Sequence, residues 1–304
     1  MVNYLYLALY KFFALILTIF PQKMTIGLMK ALGRFAYFVS KKHQTIINTN
    51  LKLAFGDTLN EAKRKEIGIA AFTNLIDTVF GIVKRDKMKK EDVVKNITFE
   101  GEEVIKAYQN SGKQFILVTG HFGNWELLSQ SIAIHFNLTL VGVGRKLDSE
   151  IMDEVLTKNR QRFNVEMVYK KGAMKGCIKS IGQKKIVGIL TDQSIGQDQS
   201  IDVEFFSKKT THTPLASILS RKFGLDLIPA FISTDDYMHY TVKIYPPIKT
   251  LKSDDQEKDL SLLTQAQADR LESVIAESPK QWFWMHKRWK AYNPELYAKH
   301  KMEK

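Results

Sequence analysis

Cysteine is nearly absent: Cys177 stands alone among 304 residues. That excludes an internal disulfide and any metal site built from a cysteine cluster, and it suits a reducing, cytoplasmic-side setting. Acidic residues are missing from the whole N-terminal region, where the first is Asp57. Over residues 1–56 the charges are Lys11, Lys23, Lys30, Arg34, Lys41, Lys42 and Lys52, so about half of the net charge of +13 lies in that stretch. Several motifs are missing as well. No HExxH or GxSxG occurs, which removes the zinc-protease and nucleophile-elbow readings. The run "VGVGRKL" (141–147) has Leu147 where a dinucleotide fingerprint needs its third glycine, and "NSGK" (110–113) has Ala107 where a phosphate loop needs its first. No small-x-small cleavage site precedes Pro21, and no basic start precedes the apolar run, so a cleaved signal peptide is not expected.

What is present at the N-terminus is grease. Residues 4–20, "YLYLALYKFFALILTIF", are apolar apart from Lys11. A helix of that length reaches about 25 Å, short of a hydrocarbon core of roughly 30 Å. Lys11 is costly at the centre of a span and cheap if the helix lies shallowly or the lysine snorkels. Residues 24–42 continue with apolar and basic residues on different sides, the pattern of an interfacial helix. Five basic residues at 23–42 against Lys11 before Pro21 place the body of the protein on the cytoplasmic side. The bland alternative is an apolar helix packed on its own domain. Residues 1–42 are therefore expected to attach to membrane and 43–304 to form the folded domain.

The chain is 44% hydrophobic and 25% charged, enough to bury a core. Residues 60–92 repeat apolar positions every three or four residues and predict helix. From there short β-like runs alternate with helical stretches: 114–119, 138–143, 165–169, 185–190, 227–232 and 239–245, separated by helical candidates at about 123–135, 148–163, 172–183 and 213–224. Such alternation predicts an α/β fold, a mixed, largely parallel sheet with helices on both faces. Residues 250–260 read as a polar linker before a last helix at about 261–277. In open α/β sheets, active residues gather at the carboxyl ends of strands. His121, Arg145, Lys170 with Lys171, and Asp192 each follow one of these runs. The remaining histidines, among them His43, His135, His239 and His300, are scattered and read as surface or packed residues, and His212 as a loop histidine.

The string "QFILVTGHFGNWELL" (114–128) carries a strand into a glycine and a histidine. Residues five apart on a helix are rotated by about 140°, so His121 and Glu126 share no helical face. They meet only if His121 lies in the turn before the helix, with Asn124 to Glu126 in its first turn. Two readings stay open from the pair alone. In one, Glu126 orients the imidazole for general-base work, with amides at the helix start holding an oxyanion. In the other, His121 caps the helix and Glu126 favours its N-terminal dipole.

The same string resembles the H-x4-D/E signature of glycerolipid-type acyltransferases, in the glutamate version used by the late acyltransferases of bacterial lipid A biosynthesis. Further blocks are similar to that family in order: "NTNLKLAFGD" (48–57), 145–172, "GILTDQS" (188–194), 203–224 and "PKQWFWMHKRWK" (279–290). The resemblance implies transfer of a fatty acyl chain from acyl carrier protein, less often coenzyme A, to a hydroxyl of a 3-hydroxyacyl chain on a lipid A precursor of the Kdo-lipid IVA type. It implies His121 as base and Glu126 as its orienting partner, with no covalent acyl-enzyme, cofactor or metal, at the cytoplasmic face of the inner membrane. Arg145, Arg160, Arg162, Lys170 and Lys171 become candidates for the acceptor's phosphates and acidic sugars or for the acidic carrier protein. Asn124 and Asp192 are candidates to bind substrate or brace the site, Asp192 together with Gln193. Trp282, Phe283, Trp284 and Trp289 among basic residues suit the headgroup level of a membrane, with buried anchors as the alternative. Competing expectations are a glycolipid or lysophospholipid acyltransferase of the same superfamily, an inert scaffold of the same fold, and a membrane-bound nucleic-acid-binding protein. Against the last, the basic excess follows the membrane segments and no nucleic-acid motif occurs.

Overall fold

A computed structural model describes residues 2–298, so His300 and the end of the expected 43–304 domain lie outside the described residues. The chain begins with helices α1 (Val2–Ile19), α2 (Gln22–Val39), α3 (Lys41–Phe55), α4 (Glu61–Arg85) and the short α5 (Lys90–Val94). There follow β1 (Ile97–Glu100), α6 (Glu102–Asn110), β2 (Phe115–Thr119), α7 (Trp125–His135), β3 (Leu140–Gly144), α8 (Glu150–Gln161), β4 (Val165–Tyr169), α9 (Ala173–Gly182) and β5 (Ile186–Leu190). A hairpin of β6 (Ile201–Phe205) and β7 (Lys208–His212) precedes α10 (Leu215–Phe223), β8 (Asp226–Ser233), β9 (Tyr240–Ile244) and α11 (Gln256–Glu277).

Seven strands form one sheet in the order β1-β9-β8-β2-β5-β3-β4, parallel throughout except where β8 meets β9. The two faces of the sheet bury separate cores, because successive side chains of a strand point to opposite sides. Along β2, Phe115 and Leu117 join one cluster with Leu128 and Ile132 of α7, while Ile116 and Val118 join another with Cys177 of α9 and Leu219 of α10. The sheet is thus covered on both sides, which is why its central strands are continuous apolar runs rather than alternating ones. Cys177 is fully buried.

Two expectations on local structure are corrected. The polar 250–260 stretch is not all linker: Asp255 accepts the Lys258 amide at 2.9 Å and starts α11 five residues early. The segment around Trp282 does not present its tryptophans to a membrane. Trp282, Trp284 and Trp289 are buried to within 1% of complete, in a third core with α3, α4, β6 and α11. Each indole N–H finds an oxygen there, on Asp192, the Pro279 carbonyl and the Phe205 carbonyl. The segment has almost no regular structure of its own, so side chains tie it down. Asn50 of α3 donates to the carbonyls of Trp284 and His286, both at 2.7 Å, and Asn74 of α4 to that of Lys280 at 2.8 Å.

The first two helices differ from the rest. Outward along α1 run Tyr6, Leu9, Phe12, Leu15 and Ile19, and along α2 Met24, Phe35, Phe38 and Val39, all exposed. Their inner sides meet α4 through Leu17, Met29, Phe80 and Val83. Among the described residues α4 alone is both long and apolar enough to cross a membrane, yet more than half of its apolar stretch is buried inside the protein.

Candidate active site

The register of the sheet brings the central pair together. Thr119 of β2 lies opposite Leu190 of the parallel neighbour β5. His121 and Asp192 each lie two residues beyond those positions, so both leave the sheet side by side at its carboxyl edge. Gly120 keeps the approach open: a Cβ there would stand 3.2 Å from the Asp192 side chain and 3.1 Å from Leu271. Gly123 turns the chain into α7 with φ +54°, where a Cβ would come within 2.0 Å of the Ile232 carbonyl oxygen.

Asp192 grips His121 twice. Its Oδ1 lies 2.8 Å from the imidazole Nδ1, and its Oδ2 accepts the His121 backbone N–H at 2.9 Å. The Trp282 indole donates to the same Oδ2 at 3.0 Å. With the carboxylate facing Nδ1, the neutral ring carries its proton there and Nε2 is left as the basic nitrogen. Asp192 is buried while the imidazole keeps 22% of its surface exposed, edge-on to Trp125 and beside Phe283. Burial works against a charged imidazole, but the Asp192 charge and hydrogen bond, helped by the Glu126 charge, outweigh it and raise the His121 pKa above its ordinary 6.5. Burial likewise opposes the Asp192 charge, and the His121 contacts with the indole hydrogen bond overcome it, holding that carboxyl well below the usual range.

Two further imidazoles stand near Asp192 and are tuned the other way. His286 is pushed down to about 4, chiefly by burial, and its Nε2 accepts the Ser194 backbone N–H at 3.1 Å. His212 is no loop histidine: it ends β7, fully buried, and accepts from Arg288 Nη2 at 3.0 Å. Burial and the neighbouring guanidinium push its pKa well below 6.5. Arg288, itself buried and lowered to about 10 by desolvation, also donates to the Thr211 carbonyl at 2.6 Å. Of the three, only His121 combines a raised pKa with a ring edge open to solvent.

Glu126 is nearby but bonded elsewhere. Its carboxylate is held by Arg160 of α8 in a bidentate pair, Nε to Oε2 at 2.9 Å and Nη2 to Oε1 at 2.5 Å, largely sheltered from water. The contact expected between Glu126 and a nitrogen of His121 is therefore made by Asp192. The reason is the helix: α7 starts at Trp125, so Glu126 is turned toward the neighbouring α8, whereas the adjacent strand end lies directly beside His121. Asn124, 1% exposed, caps α7 through Leu127 N–H at 3.1 Å and donates to Asp77 Oδ2 at 2.8 Å, which makes it a brace. The amides of His121, Phe122 and Gly123 are all used internally, to Asp192, Gly120 and Gln281, so the oxyanion role expected for this turn does not fall to them.

The other basic candidates are spread wider. Arg162 donates to the carbonyls of Arg85 at 3.3 Å and Met88 at 3.0 Å. Arg145, 79% exposed, pairs with Asp148 at 2.7 Å, and Lys170 and Lys171 are exposed beyond β4. Both positions follow strands farther toward the sheet edge than β2 and β5. Sequence reasoning did not connect Trp282, His286 and Arg288 with the aspartate that holds the histidine, having weighed their segment as a membrane belt or a set of buried anchors. It also gave Arg160 a separate role from Glu126. Among the described residues, no group of three or more His, Cys, Asp or Glu side chains could hold a metal ion.

A strand-end histidine held by a buried aspartate, beside a sheltered Glu–Arg pair, is an arrangement that general-base chemistry can use. The family described as bacterial lipid A biosynthesis acyltransferase matches residues 1–291, and the chain belongs to it. It is similar to a lipid A biosynthesis acyltransferase of Haemophilus influenzae, 25% identical over 276 residues covering 90% of this chain and 84% of that one. It is also similar to the lipid A biosynthesis lauroyltransferase of Escherichia coli K12, 26% identical over 277 residues with 89% and 86% covered. The palmitoleoyltransferase of the same organism is 23% identical over 279 residues, with 89% and 86% covered. The protein is thus an acyltransferase of lipid A biosynthesis.

Proposed function

We propose that this protein transfers a fatty acyl chain from acyl carrier protein to a hydroxyl of a 3-hydroxyacyl chain on a lipid A precursor of the Kdo-lipid IVA type. His121 Nε2 takes the proton of the acceptor hydroxyl as its oxygen attacks the thioester carbonyl. The new C–O bond forms, the C–S bond breaks, and the imidazolium returns the proton to the departing thiolate. Asp192 fixes the ring and stabilises the imidazolium, as a triad aspartate does. Glu126 holds the Arg160 guanidinium where it can meet the oxyanion or a phosphate of the acceptor. Arg145, Arg162, Lys170 and Lys171 offer the acidic carrier protein or acceptor a basic rim. Residues 1–42 seat the enzyme in the cytoplasmic face of the inner membrane through the outer faces of α1 and α2, and residues 43–304 form the catalytic domain.

The observation that carries the reading is the His121–Asp192 contact at 2.8 Å, with the imidazole raised in pKa and open on one edge. The test is an assay of the purified enzyme with acyl carrier protein thioester and a tetra-acylated precursor, read by mass spectrometry. The wild type should add one acyl mass, and His121→Ala should lose transfer while still sedimenting with membranes. Near-normal transfer by that variant would end the mechanism, and an unmodified precursor with the wild type would end the assigned substrate.

A further inference from the structure

Three indoles are buried in the segment after α11, and one is bonded unlike the others. Trp284 and Trp289 donate to backbone carbonyls, those of Pro279 and Phe205, since a buried indole must find some oxygen. Trp282, 1% exposed, donates instead to Asp192 Oδ2 at 3.0 Å, on the carboxylate whose Oδ1 faces His121 Nδ1. Its backbone is fixed on the turn that carries the histidine. Phe122 and Trp282 form an antiparallel bridge, with Gly123 N–H donating to the Gln281 carbonyl at 2.8 Å and Phe283 N–H to the His121 carbonyl at 2.9 Å. The rings of Trp284 and Phe205 stand edge-on to the indole, their centroids 4.6 and 5.8 Å away.

The carboxylate thus answers to two residues. His121 engages it through its backbone N–H and Nδ1, and Trp282 through the oxygen that the ring does not touch. Burial raises the proton affinity of Asp192, and the His121 contacts and the indole bond lower it. A donor on an ionised carboxylate spreads its charge and weakens its hold on the other partners. The indole therefore tempers the pull of Asp192 on the ring. Without it the imidazolium would be held more tightly, and a general base works best when its proton affinity matches the working pH.

We infer that Trp282 is a positioning residue for acyl transfer, acting on His121 through the carboxylate that the two share. The inference rests on His121 as the base. Trp282→Phe removes the N–H and keeps an aromatic ring and the backbone bridge. The pH dependence of kcat/KM is measured for wild type, Trp282→Phe, Asp192→Asn and the double variant. Trp282→Phe should move the limb up by about one pH unit and lower kcat/KM about tenfold on its acid side, with the alkaline plateau within about threefold of wild type. In the Asp192→Asn background the same change should do neither, because the carboxylate through which it acts is gone. A limb left in place by Trp282→Phe, or the same factor lost in both backgrounds, overturns the inference: the indole then only fills the core, and His121 stands as the base. Near-normal transfer by His121→Ala overturns the base reading and the inference together, so the two failures are told apart. If Trp282→Phe does not fold, benzothienylalanine at position 282, which keeps the bicyclic shape and has sulfur in place of N–H, is held to the same outcomes.

Discussion

Three imidazoles lie within the field of Asp192, and one carboxylate sorts them into different tasks. Only His121 is hydrogen-bonded to it, so only His121 gains enough to rise above 6.5, while His212 and His286 fall under burial and nearby positive charge. With His121 as the base proposed above, the ring must be neutral to act, so kcat/KM should rise with pH along a limb whose midpoint lies above 6.5. Asp192→Asn removes the charge that raised the ring and leaves the burial that lowers it. The limb should move below 6.5, and kcat should fall by about 10²–10⁴-fold; a pH–rate profile on both proteins checks this, and an unmoved limb would separate Asp192 from the base. The sign for stability is opposite to that for activity. A raised imidazole pKa stabilises the fold fully below about 6.5, and that contribution is lost as pH rises through the folded value. Denaturant midpoints of wild type and His121→Gln should therefore converge between pH 6 and pH 9. For the sheltered Glu126–Arg160 pair, removing one partner strands the other charge. Glu126→Gln and Arg160→Met should each cost activity heavily, and the double variant should cost far less than the two losses added. Additive losses would show that the two side chains act apart.

Among the elements, the sheet was readable and the segment after α11 was not. Each of the six β-like runs became a strand within two residues at either end; β2, β5 and β8 are apolar runs buried on both faces, which leave a strong mark, whereas the short β1 was not among the runs. The register that places Asp192 beside His121 left no such mark, since it depends on β2 and β5 being neighbours, 71 residues apart in sequence. Residues 279–290 misled for a physical reason: Trp beside Lys and Arg is the composition of a membrane interface and also of a core segment whose indoles bond to oxygens. Their hold on the fold is concentrated in a few side chains. Trp289→Ala should cost about 3–5 kcal/mol through the cavity it leaves. Asn50→Ala, which strands two carbonyls and the Tyr297 hydroxyl, should cost about 2–4 kcal/mol. Urea unfolding measures both. A loss under 1 kcal/mol in either would mean that the segment is anchored elsewhere.

At the scale of the molecule, charge and grease lie at one end. The first 56 residues carry basic groups and no acid, and the outer faces of α1 and α2 are apolar. Replacing Phe12 and Leu15, 55% and 59% exposed, by Glu should leave the fold intact, because neither is part of the core against α4. It should release the protein from anionic vesicles in a sedimentation assay, and the remaining binding should weaken with salt. Full retention would move attachment to another surface.

The sequence by itself determined the α/β class, the strand that delivers His121, the apolar and basic N-terminus, and the resemblance to the lipid A acyltransferases. These follow from periodicity, composition and short motifs, all local along the chain. Only the tertiary structure decided that Asp192, not Glu126, holds the histidine, that Glu126 belongs with Arg160, and that three tryptophans face inward. Partners 34 and 71 residues apart are joined by sheet order and helix packing, and no local pattern records those.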